Sequence, residues 1–262
     1  MQWLPWRAVW WSSHKRGGAR TDPPHRSPSW AWVYCLFMVA DKSSTDPTRR
    51  YGTPMRWVMF FAGVWIMTLG IALTVHADLG TTPISTVPAA IAAASPLSFG
   101  VITILMSFVF VLAQKLILRR RFTTFQYWQF LVAFVFGGLC DVSLYLTDFI
   151  HPGHYLWQWV TMLIGVLLVS FGVFLQILPR ILYSPGEGIV AAITLASGWR
   201  FGTVKQFFDW SLTLIAVAIG LIFVGELSGV REGTVFAAFA VGGMVKVYQR
   251  LYDTYLRRNL HP

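Results

Sequence analysis

Long, uninterrupted apolar blocks, rather than alternating or striped patterns, dominate the chain after residue 56. A helix needs about 20 such residues to cross roughly 30 Å of hydrocarbon. Blocks of that length occur at 57–75, 100–118, 126–147, 155–178, 204–225 and 233–252, the last interrupted by Lys246. In lipid the backbone must satisfy its own polar groups, and runs this long do so as helices, not barrel strands. The pattern predicts an all-α, polytopic membrane protein with six transmembrane helices.

Between the first two blocks lies HADLGTTPISTVPAAIAAAS, and LPRILYSPGEGIVAAITLAS follows the fourth. Both are too interrupted by proline for a span and too apolar for an ordinary loop. A shift of 102 residues aligns 57–100 with 159–202 without a gap, with 14 identities in 44 positions, Gly63/Gly165, Gly70/Gly172 and Pro83/Pro185 among them. After a small change in length, GGLCDV at 137–142 meets GGMVKV at 242–247. The chain therefore reads as a duplicated three-helix unit, 56–154 and 155–262, the second ending in a basic tail. Three crossings are odd in number, so the second copy enters from the opposite face. That is an inverted 3+3 repeat with two broken or re-entrant segments, an architecture common among secondary transporters.

Pro83 and Pro88 in the first odd segment, and Pro179, Pro185, Gly186 and Gly188 in the second, break regular helix. The Ala-rich stretches after them, 89–94 and 189–196, read as half-helices. Irregular backbone at membrane depth is tolerated where protein buries it or where it lines a wet cavity. Free N–H groups at half-helix N-termini suit an anionic or polar solute. The alternative is a pair of interfacial loops that only close the bundle.

Composition agrees with the pattern: 55% of residues are hydrophobic and 12% charged. The net charge of +10 has a topological reading. Twenty of the 21 Lys and Arg residues fall on one side if both termini are cytoplasmic, and Arg231 alone falls on the other. This bias beside anionic lipid accounts for the charge without a nucleic-acid partner. Residues 1–55 do not share the pattern and read as a disordered cytoplasmic extension, with Met38 and Met55 as alternative starts. Cys35 and Cys140 imply no disulfide framework.

Ionisable groups inside spans are functional candidates. Lys205 and Asp209, four apart, suit a structural pair. Asp141 and Lys246 occupy equivalent repeat positions, but inversion puts them near opposite faces; Lys246 can snorkel and Asp141 cannot. Asp78 and Glu187 lie in the two odd segments. The candidate solute-lining set is Asp78, Thr81, Thr82, Ser85, Asp141, Ser184 and Glu187. No nucleophile elbow, HExxH pair, phosphate loop or clustered Cys/His set occurs, so the sequence proposes no catalytic residue, cofactor or metal, and the chain reads as no enzyme.

ADLGTTPIST after a Gly-rich first span, LSFG opening the second, Gly-Gly-x-x-Asp in the third and GVREGTVFAAFAVGGMVK near the end resemble the YczE/YyaS/YitT family of bacterial integral membrane proteins. The resemblance covers about 57–252. It departs in the last hairpin, where Arg231-Glu232 precede Gly233-Thr234 and the family tends to Gly-x-Gly-Thr. It implies the bacterial cytoplasmic membrane and brings no established substrate. The expected partners are the lipid bilayer and a small solute, with homo-oligomerisation left open. The expected function is a transporter or permease-like protein; the competing one is a non-transporting membrane scaffold for a biosynthetic or envelope complex.

Overall fold

The computed structural model describes residues 52–119, 122, 124–179, 181–199, 201–225 and 230–260. Nearly all of the expected N-terminal extension, Cys35 included, lies outside them, but Thr53 to Met55 belong to the first helix, which Pro54 opens. Every element among the described residues is a helix: α1 (Thr53–His76), α2 (Pro83–Ala94), α3 (Phe99–Leu118), a short 3-10 turn (Thr124–Tyr127), α4 (Trp128–Thr147), α5 (Tyr155–Ile177), α6 (Pro185–Ser197), α7 (Phe201–Ile219), a π turn (Gly220–Val224) and α8 (Glu232–Leu260).

Five helices, α1, α3, α4, α5 and α7 with its π turn, are long and apolar enough to cross a membrane. The chain is a multi-pass membrane protein. The sixth expected span falls in α8, which has the length at 29 residues. It is more polar, with Lys246 and Arg250 in its second half. Leu105, Val109, Leu112 and Leu116 of α3 are exposed along one side, as acyl chains would require.

At the centre, α1 and α5 run antiparallel. Gly63 faces Gly172 and Gly70 faces Gly165, so closely that a Cβ on Gly172 would lie 2.6 Å from the Gly63 carbonyl oxygen. Lipid drives helices together only weakly, and small residues compensate by letting backbones approach. These glycines thus serve internal packing and not a partner helix. α4 packs on α1, and α8 on α5. Phe174 of α5 meets Tyr248 and Tyr252, and Trp159 meets Phe236, so α8 runs parallel to α5. The start of α1 and the ends of α5 and α8 therefore share one face.

The short helices fill the middle. At 12 and 13 residues, α2 and α6 reach only about 18–20 Å at 1.5 Å per residue. α2 packs on α7, and α6 on α3. Val87, Ala90, Ile189, Phe110, Leu212 and Ala216 join these four elements in one buried cluster. Both short helices begin at the prolines where the sequence reading ended regular structure. Fixed φ and a missing N–H suit the first helical turn, whose N–H groups have no helical partner anyway. Among the described residues, only Pro88 sits past the first turn of a helix, where it leaves the Ile84 carbonyl without its usual donor.

Candidate functional site

A cavity of about 850 Å³ lies between α7 and α8, which among the described residues are not one of the closely packed helix pairs, and reaches α1, α2, α3, α5, α6 and, through Phe136, α4. Its lining runs out past Lys246, Gln249 and Tyr252, toward the face that holds the ends of α5 and α8. Positions 102 residues apart line it in pairs: Met67 and Val169, Ile71 and Val173, Thr82 and Ser184, Ser85 and Glu187, Thr103 and Lys205, Ser107 and Asp209. The two halves supply different chemistry at these places. At the last three of these pairs the first contributes a hydroxyl and the second an ionisable group.

Local sequence explains how the polar groups are held. The half-helices start alike, Thr82-Pro-Ile-Ser85 and Ser184-Pro-Gly-Glu187, each with an N-cap side chain that binds the residue three along. Thr82 Oγ1 donates to Ser85 Oγ at 3.0 Å. Ser184 Oγ donates to Glu187 Oε2. The first turn of α6 therefore already carries an acidic side chain of the chain itself. The helix starts touch: Ile84 covers Gly186, where a Cβ would collide with its side chain. Behind them Gln114, fully buried, donates from Nε2 to the Pro185 carbonyl at 3.2 Å and to Gln129 at 3.0 Å.

On α7, Lys205 Nζ lies 2.7 Å from Asp209 Oδ1, with the Lys side chain 29% and the Asp side chain 11% exposed. The lining thus holds two acidic side chains, Glu187 and Asp209, and Lys205, with Lys246 exposed farther out.

Four of the seven candidate residues come together here: Thr82, Ser85, Ser184 and Glu187. The other three do not line the cavity. Asp78 takes a left-handed turn at the end of α1, φ 54°, and its side chain is 79% exposed. Arg231 donates to the Asp78 carbonyl at 2.6 Å and sits 3.6 Å from its carboxylate, while Gly233 N–H donates to the Leu79 carbonyl at 2.8 Å. Arg231 and Gly233 of the last hairpin thus tie down the first odd segment. Thr81 points away, buried and hydrogen-bonded to Thr74 at 2.9 Å. Asp141 accepts from Ser98 Oγ and Gly100 N–H, both at 2.6 Å, and so holds α4 to the start of α3.

Thr103, Ser107 and Gln114 were missed because Ser, Thr and Gln in an apolar span carry no charge to mark them. The repeat spacing, carried past residue 100, points to the first two through Lys205 and Asp209. A family model described as a family of unknown function (DUF6198) matches residues 54–250. No curated protein and no solved structure matches the chain.

Proposed function

Because the chain belongs to the DUF6198 family, whose function is unknown, we propose its activity from the cavity: a six-helix, inverted-repeat transporter or permease for a small solute. The supporting observation is that one cavity, within the roughly 300–1,000 Å³ of small-molecule sites, is lined by equivalent positions of both halves. The antiparallel α1–α5 pair and the reciprocal packing of α2 on α7 and α6 on α3 support the inverted repeat. Transporters built this way bind at the repeat interface. Met67, Ile71, Phe110 and Phe174 opposite the polar groups suit a solute with an apolar body and a polar or charged end. The resemblance to the YczE/YyaS/YitT family, a bacterial cytoplasmic membrane and cytoplasmic termini belong to the same proposal. The one-sided distribution of Lys and Arg supports the orientation.

Thiol labelling tests it. Ser85→Cys and Ser184→Cys, each in a full-length chain with Cys35 and Cys140 replaced by Ser, are exposed in membrane vesicles to an impermeant maleimide. A hydrated pathway predicts labelling of both sites through the α7–α8 opening. Two unlabelled sites in folded protein would overturn transport and leave the scaffold reading.

A further inference from the structure

This inference rests on the transporter reading. We propose that the cavity has a second entrance, between α3 and α4 on the opposite face, which is shut in this structure, and that Asp141 is its latch. The two entrances open in turn.

The argument is an asymmetry between halves that share one pattern. α3 and α4 are in close contact: a Cβ on Gly100 would collide with the Gly137 carbonyl, and one on Gly137 with Ile104. Asp141, one turn along α4, takes hydrogen bonds from Ser98 and Gly100 at the first turn of α3. The positive end of a helix favours that carboxylate. The equivalent glycines exist in the second half, Gly202 on α7 and Gly242 on α8. Yet among the described residues α7 and α8 have no comparable packing. A Cβ on Gly242 or Gly243 would meet nothing within 4 Å, and both glycines line the cavity. The position of Asp141 is taken by Lys246, which offers no acceptor to the start of α7. One helix pair is thus closed and latched, and its counterpart is open and unlatched. Two halves of similar sequence can exchange these arrangements, so that α8 docks on α7 as α4 leaves α3. A solute that binds both states then passes from face to face.

Cys140 is the built-in probe. It is buried in α4, whereas its counterpart Val245 lines the open cavity. In the full-length Cys35→Ser chain, an impermeant maleimide applied from the Asp141 face is expected to spare Cys140. Asp141→Ala should raise its labelling severalfold. A second variant leaves the latch intact: Gln206→Cys with Gly242→Cys, equivalent to the Ile104–Gly137 contact. Its disulfide should form under mild oxidation, hold α8 on α7 and again raise labelling of Cys140 from that face. Ser184→Cys, labelled through the α7–α8 opening, reads the cavity itself. If Ser184→Cys reacts and Cys140 stays protected in both variants, the second entrance is overturned while the cavity reading stands. If Ser184→Cys is also inert, both fall.

Discussion

Lys205 and Asp209 sit one turn apart on α7 with the ammonium partly in solvent and the carboxylate nearly enclosed. Removing one partner leaves the other without compensation, which for a fully buried pair costs roughly 3–5 kcal/mol, whereas replacing both by apolar residues is often neutral. Lys205→Met is therefore expected to lower the melting temperature in detergent by less than that full penalty implies, because water reaches the ammonium. The double variant Lys205→Met with Asp209→Leu should melt above the single one. The reverse order would mean that the pair does not stabilise the helix. The pair itself was legible from spacing alone, since residues four apart share a helix face. Thr81 and Thr82 were not separable in the same way. They are adjacent, so the backbone sends them in different directions, and only the packing of the α1 end shows that Thr81 turns to Thr74. Asp141 was marked by its charge, but its partners, a serine and a backbone N–H on another helix, have no sequence signature.

The helices depend on contacts between backbones more than on large side chains. A Cβ on Gly172 would lie 2.6 Å from the Gly63 carbonyl oxygen and from the Met67 nitrogen. Backbone cannot yield cheaply, so Gly172→Ala should destabilise by about 1–3 kcal/mol, the usual range for overpacking. Gly138 on α4 has open space around it, and Gly138→Ala should stay within about 0.5 kcal/mol of the parent. Thermal unfolding of the two variants in one detergent distinguishes these outcomes, and equal melting temperatures would remove the α1–α5 crossing as a determinant of stability. The seven-residue spacing of these glycines was visible in the sequence, though their partner was not. The repeat supplied the element order, long-short-long-long in each half, and it survived in the structure. The starts of the short helices did not, because proline was read as a breaker where it acts as a first-turn residue.

For the molecule as a whole, the similarity of residues 57–100 to 159–202 is legible because glycine and proline recur at positions of matching backbone geometry, while the residues that line the cavity differ between the two stretches. Ser85 and Glu187 stand at the same position of their half-helices and are held by the same N-cap relationship, from Thr82 and Ser184. If the halves are equivalent about the cavity, a carboxylate is tolerated at either position but not at both. Ser85→Glu alone adds a third acidic group to a lining that already holds Glu187 and Asp209 with one nearby ammonium, and like charges at short range raise the cost of both. Ser85→Glu combined with Glu187→Ser restores the count and gives the new carboxylate the Thr82 hydroxyl as donor. The combined exchange is expected to recover the folded yield and melting temperature that the single change loses. Recovery without any contribution from equivalence would also follow from removing an acidic group anywhere in the lining, so Ser85→Glu with Asp209→Asn, which removes one at a position that is not the counterpart of Ser85, is the comparison. Failure of the exchange to exceed that comparison would mean that Ser85 and Glu187 match in sequence position but not in their place at the cavity.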